Sequence, residues 1–328
     1  MSRVLVTGAA GFLGRNVARS MVERGHEVLA MVQHEIDAQA IGTDRVAIAV
    51  ADLLDDGSLC AAVAGAEIVC HCAAKLPGKA SPDAIWAANA EGSTRLVAAC
   101  VQAGVRRLVY VSTDSVYGDA LDSTATESSP LDPTYFYEGN YPRSKLEGER
   151  AAVRAAREHG LEVAIIRPCL MYGPDDSPGT NQIRRWAATR IHPLIDGGSA
   201  QISMAFVTDA ALAIALAAEH PAAAGRVYNV SSGESHSKRA ILEAIAATTG
   251  RPKYFVPLPG RPLDRLLRAL RSAVAPFSST AAAALDPARV RFSMTNHCVD
   301  IGRIRGELGF EPRVSLRAGL RRTLCGTS

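Results

Sequence analysis

Val4-Leu5-Val6-Thr7-Gly8-Ala9-Ala10-Gly11-Phe12-Leu13-Gly14 reads as an apolar strand, a turn with glycines three residues apart, and the first turn of a helix. Each glycine answers a separate need. Gly8 lets the chain turn sharply, Gly11 removes the Cβ that would hold phosphates off the backbone, and Gly14 lets helix and strand pack closely. The helix start at Phe12 and Leu13 offers unpaired N–H groups and a partial positive charge to an anion. A dinucleotide's pyrophosphate suits this pattern. A tight strand-to-helix turn with no ligand is the plain alternative, and the glycine triplet by itself does not separate the two.

The whole chain, 328 residues, is long enough for one large domain or two modest ones. Hydrophobic residues make up 48% and charged residues 21%, the balance of a folded globular chain. The net charge is only +3 and no long basic run occurs, so nucleic acid is not an implied partner. The opening residues form a strand instead of a charged-then-apolar leader, and no apolar run is long enough for an integral membrane span. A cytoplasmic location is therefore expected. The seven cysteines include no Cys-x-x-Cys pair and read as reduced, mostly buried thiols. His26, His34 and His71 fall on different elements and His297 stands alone in sequence, so no metal site is expected.

Downstream, apolar runs of strand length alternate with longer amphipathic stretches, the pattern of βαβ units feeding a parallel sheet. Strands are expected at 3–7, 27–32, 45–50, 67–71, 106–112 and 161–167, with helices at about 12–24, 55–64, 82–103 and 141–159. Right-handed crossovers bring the glycine turn, the strand ends near Cys72 and Ser112, and the loop at Arg167-Pro168 to one edge, the expected crevice. The fold class is α/β: a Rossmann-type doubly wound parallel sheet with a smaller, mainly helical C-terminal substrate-binding region. Residues 1–168 form the dinucleotide domain, with a return segment at about 204–232. Residues 169–203 and 233–328 form the substrate region. There, short strands are expected near 204–208 and 226–230, and helices near 209–219, 236–249, 263–275 and 315–324.

Tyr141-Pro142-Arg143-Ser144-Lys145 starts a helix, which puts Tyr141 and Lys145 on one face a turn apart. A free phenol ionises near pH ~10, so a nearby ammonium is needed to bring its phenolate within reach of neutral pH. The strand ending in Ser112-Thr113 delivers hydroxyls to the same edge, where Thr113 can hydrogen-bond a carbonyl while Tyr141 moves a proton.

With these residues the chain resembles the extended short-chain dehydrogenase/reductase family, which includes nucleotide-sugar epimerases and dehydratases and the 3β-hydroxysteroid dehydrogenases. The resemblance runs over nearly the whole length. It rests on the glycine turn, Asp52-Leu53, His71-Cys72-Ala73-Ala74, Asn89 with Glu91-Gly92-Ser93, Val111 to Gly118, Tyr141 with Lys145, and Arg167-Pro168 through Tyr172-Gly173-Pro174. Later matches are Phe206-Val207-Thr208-Asp209, Tyr228 to Gly233, and Asp300 to Arg303 through Leu308-Gly309. It implies Tyr141 as acid/base, Lys145 on the nicotinamide ribose, and Thr113 as the substrate-orienting hydroxyl. It also implies Asp52 and Leu53 around the adenine, Ala73 and Ala74 along the cofactor, and Asn89 supporting the site. Lys75, Ser112 and Pro168 join the expected cofactor contacts; Lys75, Thr113, Asp114, Ser115 and Tyr172 are the expected substrate contacts. A homodimer built on the helices near 82–103 and 141–159 is implied as well.

Two departures matter. NAD-preferring relatives end the second strand in an acidic residue and many NADP users have an arginine there, whereas this chain has Val32-Gln33-His34, so NAD and NADP stay equally open. Many nucleotide-sugar enzymes carry an arginine shortly before the aromatic at Phe206; here Ser203 and Met204 stand instead, with Arg184, Arg185 and Arg239 as substitutes.

The stretch from Gly118 to Asn140, with Tyr135-Phe136-Tyr137, is long enough to suggest a lid or pocket wall. Residues 261–271 alternate leucines and arginines at helical spacing, a face that either packs on its own domain or makes peripheral membrane contact. The reading that gathers most of this is an NAD(P)-dependent oxidoreductase. It interconverts a secondary alcohol and a ketone on a medium-sized, lipophilic or natural-product substrate. A nucleotide-sugar epimerase or dehydratase with tightly held NAD is the enzymatic alternative, and a non-catalytic dinucleotide sensor the remote one.

Overall fold

The opening run becomes strand β1 (Arg3–Thr7), and helix α1 (Phe12–Glu23) leaves directly after the glycine turn. The computed structural model describes residues 1–41, 46–118, 124–133, 140–175, 177–278, 281–282 and 285–326. Alternation continues through β2 (Glu27–Val32), β3 (Val46–Val50), α2 (Asp56–Val63), β4 (Ile68–His71), α3 (Pro82–Trp86), α4 (Gly92–Gln102), β5 (Arg107–Val111), α5 (Tyr141–His159) and β6 (Glu162–Pro168). Then come β7 (Leu170–Tyr172), α6 (Pro178–Ala188), β8 (Ile191–Ile195), β9 (Gln201–Phe206), α7 (Val207–Glu219), β10 (Arg226–Val230), β11 (Ser235–Ser237), α8 (Lys238–Thr249), β12 (Tyr254–Leu258) and α9 (Gly260–Val274).

Seven strands form one sheet in the order β10-β6-β5-β4-β1-β2-β3, every neighbouring pair parallel. Its central strands are apolar on both faces because helices cover both. Val4, Val6 and Val109 pack with α1 and α7 on one side, while Leu5, Val69 and Leu108 pack with α2, α4 and α5 on the other. The sheet is doubly wound as the alternation implied, and its winding reverses between β1 and β4, which opens a crevice beyond their C-terminal ends. Arg107, buried at 2% exposure, ties this body together: it grips Glu162 and donates to the carbonyls of Ala217, Ala218 and His220 at the end of α7. These are carbonyls that a helix end leaves without partners.

Several boundaries differ from expectation. The single helix over 82–103 is three pieces, because a π turn at Ala87–Glu91 separates α3 from α4. The strand near 204–208 is β9, which ends at Phe206 so that α7 starts at Val207; it joins a second, three-stranded sheet in the order β11-β9-β7. Within the return segment, therefore, α7 and β10 build the main fold and β9 does not. A two-stranded parallel sheet, β12-β8, also lies in the C-terminal part, so that part carries more strand than its composition suggested.

Candidate active site

Gly8 has φ +64, and a Cβ there would lie 2.6 Å from Ala73 Cα, so only glycine fits between the turn and the chain leaving β4. At Gly14 a Cβ would fall 2.1 Å from the Gly8 carbonyl oxygen. No side chain caps α1, whose first N–H groups are left for something other than a capping residue.

Across the crevice, α5 begins at Tyr141. Lys145 is 1% exposed, with Nζ 4.4 Å from the centre of the Tyr110 ring, while the Tyr110 hydroxyl donates to the Lys145 carbonyl at 3.1 Å. Burial brings the Lys145 ammonium down to about 8, although Glu149 pulls the other way. Thr113 Oγ1 accepts from the Ser115 N–H at 3.2 Å and lies 3.4 Å from Asp114 Oδ1. Ser112 Oγ is buried and has no hydrogen-bond partner among the described residues, which leaves it available to a polar group in the crevice.

Behind these groups lies a polar scaffold. Asn89, in the π turn, accepts from Lys75 N–H at 2.8 Å, donates to Lys75 C=O at 2.9 Å and donates to Ser144 Oγ at 3.2 Å. Ser144 Oγ in turn donates to the Tyr141 carbonyl at 2.8 Å. Thr7 Oγ1 accepts from Ala73 N–H and shares a hydrogen bond with His71 Nδ1 at 2.7 Å, while His71 Nε2 shares another with Ser93 Oγ at 2.9 Å. Burial holds His71 well below the ordinary imidazole range, with the Lys145 charge adding to the effect. Deeper still, Arg167 forks onto Glu149 at 3.0 and 2.6 Å and donates to Tyr117 Oη, which donates to Asn229. This network fastens α5 to β6 and β10.

The crevice is a cavity of about 1090 Å³. Of the expected residues, Gly8, Gly11, Phe12, Leu13, Gly14, Ala74, Lys75, Ser112, Thr113, Asp114, Ser115, Tyr141, Lys145 and Pro168 line it. Ala73, Asn89 and Leu53 instead stand behind the wall: Ala73 backs Gly8, Asn89 holds Lys75, and Leu53 packs beneath Gly92. Gln33 and Asp52 lie beyond its outer end and pair with each other, Nε2 donating to Oδ2 at 3.0 Å. Tyr172 does not reach it. Its ring packs edge-on against Phe206 and its hydroxyl end against Gly319, so its expected substrate contact is replaced by a core role. Among the arginines considered for a diphosphate, Arg185 lines the cavity, whereas Arg184 donates to Pro174 C=O and Arg239 lies over Phe255. Tyr135-Phe136-Tyr137 fall outside the described residues.

His297, isolated in sequence, also lines the cavity, stacked on Phe292 at 4.1 Å and pushed by burial down to about 4. No local signal announces it, because a bridge to Ile202 in the small sheet brings it there. Among the described residues, no group of three or more His, Cys, Asp or Glu side chains could hold a metal ion.

Comparison with known proteins gives the family. Residues 4–231 match the NAD dependent epimerase/dehydratase family. The chain is 31% identical to the 2-alkyl-3-oxoalkanoate reductase of Stenotrophomonas maltophilia over 98% of both chains. It is 28% identical to the 4-hydroxy-2-methyl-3-oxo-4-farnesyl-3,4-dihydroquinoline-1-oxide ketoreductase of Stigmatella aurantiaca, over 97% of this chain and 94% of that one. The crystal structure of gox2253 superposes with TM-score 0.84 at 26% identity, covering 99% and 98% of the two chains. DesIV, the dTDP-glucose 4,6-dehydratase of Streptomyces venezuelae with NAD and TYD bound, superposes with TM-score 0.75 at 25% identity, covering 99% and 96%. With a family match over two thirds of its length and a relative 31% identical over nearly all of it, the chain belongs to the NAD-dependent epimerase/dehydratase family, as an enzyme of the extended short-chain dehydrogenase/reductase type.

Proposed function

We propose that this enzyme reduces a ketone on a lipophilic substrate to a secondary alcohol, with Tyr141 as proton donor. The observation that carries this reading is the cavity's composition. Tyr141, Thr113, Lys145 and Ser112, whose buried hydroxyl has no partner among the described residues, share its lining with the apolar side chains of Leu170, Met171, Ile202, Phe292 and Val299. The position where a diphosphate-binding arginine is expected holds Ser203, whose hydroxyl is already shared by Ser235 and the Val299 N–H. The names of the Stenotrophomonas and Stigmatella relatives, both reductases of oxo compounds, support the same direction.

Gly8, Gly11, the N–H groups at Phe12 and Leu13, Ser112 and Lys145 would hold the dinucleotide. The chemistry it supplies when bound is hydride transfer to a carbonyl carbon. Thr113 Oγ1 turns its proton from Ser115 Oγ and Asp114 Oδ1 to the ketone oxygen, where negative charge develops. Tyr141 passes its phenolic proton to that oxygen, so the C=O double bond becomes C–H and O–H. Lys145, one helical turn along and charged below about pH 8, stabilises the phenolate left behind. Neutral His71 adds no competing positive charge near Lys145.

Tyr141→Phe is expected to lower kcat by roughly 10²–10⁴-fold while leaving dinucleotide affinity nearly unchanged. Wild-type turnover in this variant, measured through the reduced-nicotinamide absorbance, would exclude Tyr141 as the donor. Arg185 at the cavity favours a second reading, transient oxidation of a nucleotide sugar; a net-unchanged cofactor with an isomerised sugar would select it.

A further inference from the structure

Helix α9 is strongly amphipathic yet scarcely embedded: of its 15 residues, only Gly260 is buried. It is fastened at its start, where Asp196, itself at φ +47, accepts from Gly260 N–H at 2.8 Å. Along one side Leu263, Leu267 and Val274 are half-buried and Arg271 pairs with Asp286 at 3.2 Å. Successive residues turn by about 100°, so Leu266, Leu270 and Ala273 form a second apolar stripe beside the seated one, continued by Phe277 in the following turn. That stripe faces outward, with Leu266 55% and Phe277 89% exposed. Arg265 and Arg261, both exposed, lie further round the helix on its polar side, about 100° and about 140° from Leu266. Arg268 is taken by Asp264, but Arg261 and Arg265 meet no carboxylate among the described residues.

The chain entering α9 repeats the theme. In the β8–β12 pair, Ile191 stands opposite Tyr254 and Pro193 opposite Val256, and all four are exposed. Exposed apolar rows beside unpaired cations are unusual on a surface meant only for water. The short helix Ala288–Phe292 packs against α9, and Phe292 lines the cavity, so the helix that bears this surface rests on an element of the cavity wall.

We propose that α9 is an interfacial helix. Its Leu266–Phe277 stripe enters the headgroup region of an anionic lipid bilayer, and Arg261 and Arg265 meet the lipid phosphates. A second copy of the chain fits the same face poorly, since a two-fold contact brings the face onto itself and α9 offers its arginines no free carboxylate, Asp264 being taken by Arg268. Docking would present the Phe292 wall of the cavity to the layer in which a lipophilic ketone dissolves. The inference concerns location, and it stands whether or not Tyr141 reduces ketones.

The test is cosedimentation of the full chain with phosphatidylglycerol-containing and with pure phosphatidylcholine vesicles. Partition onto the anionic vesicles is expected to be at least about tenfold stronger and to fall with salt. The double substitution Leu266→Asp with Leu270→Asp should abolish it while leaving the melting temperature unchanged, since both side chains face outward. Arg261→Glu with Arg265→Glu should erase the preference for anionic lipid. Failure of the wild-type chain to bind either vesicle overturns the proposal. So does equal binding by the leucine variant, and so does a wild-type dimer that the leucine variant converts to monomer without any vesicle binding.

Discussion

Asn89 and Ser144 are joined by a 3.2 Å hydrogen bond that links the π turn after α3 to the first turn of α5. The same amide brackets both backbone polar groups of Lys75, so one side chain positions the cavity wall and the helix that carries Tyr141. Asn89→Ala is expected to cost about 1–3 kcal/mol of stability through unpaired backbone groups. Misplacement of Tyr141 should slow kcat by roughly ten- to a hundredfold. Asn89→Asp keeps an acceptor for Lys75 N–H but offers no donor to Ser144, so it should be as slow as the alanine variant. Restored turnover in the aspartate variant, measured well below its melting temperature, would show that the donated bond is dispensable.

Lys145 is expected to set a pH limit on turnover. Burial favours its neutral form and lowers it to about 8, so the charge is fully present below that pH and is lost above it. In the reducing direction, kcat/KM should therefore fall as pH rises through about 8, well before an ordinary lysine titrates. Lys145→Met should abolish this limb along with most of the activity. A profile that stays flat up to about pH 10 would show that the ammonium is not required.

The Gln33–Asp52 pair bears on the choice of dinucleotide. Asp52 is fixed further by accepting from the Leu54 N–H at 2.9 Å, which leaves a carboxylate at the outer end of the crevice, where the adenosine is proposed to lie. A 2′-phosphate there would meet like charge, so NADH is expected to exceed NADPH by about tenfold or more in kcat/KM. Gln33→Arg with Asp52→Asn should reverse that order. Equal use of both dinucleotides by the wild-type enzyme would remove Asp52 from the selection.

Gly14→Ala tests the glycine turn itself. The added Cβ would collide with the backbone oxygen of Gly8, an atom that cannot swing aside as a side chain would. Helix α1 must then move off β1, at about 1–3 kcal/mol and with weaker dinucleotide binding. Calorimetry and cofactor titration should both register the change; an unaltered melting temperature and affinity would mean that the turn is slacker than its geometry indicates.

The dinucleotide half was legible because its signals are local. Glycine spacing, an apolar run and an i,i+4 pair each report on neighbours in sequence, and α5 starts and stops where Tyr141, His159 and the following Gly160 mark it. The extra residue of the π turn at Asn89 left no mark in composition, since the stretch is helical on either side. The β8–β12 pair escaped notice because Pro193 and Pro257 interrupt short strands whose partners lie some sixty residues away. His297 and the core position of Tyr172 depend on the same kind of distant pairing, through Ile202 and Phe206. Periodicity along the chain carries no information about such contacts.

Strand β10 comes to the main sheet from residues 226–230, after the chain has already traversed β7 to β9 and α6. During synthesis, a nascent chain that has emerged only as far as Pro168 therefore presents β6 as a bare edge, and Arg107 lacks the carbonyls at the end of α7 that it later caps. Bare parallel edges recruit other chains. The two halves of this enzyme are consequently poor candidates for separate expression or for shuffling with relatives at residue 168. A cut that respects the molecule must keep β10 with the strands that precede it.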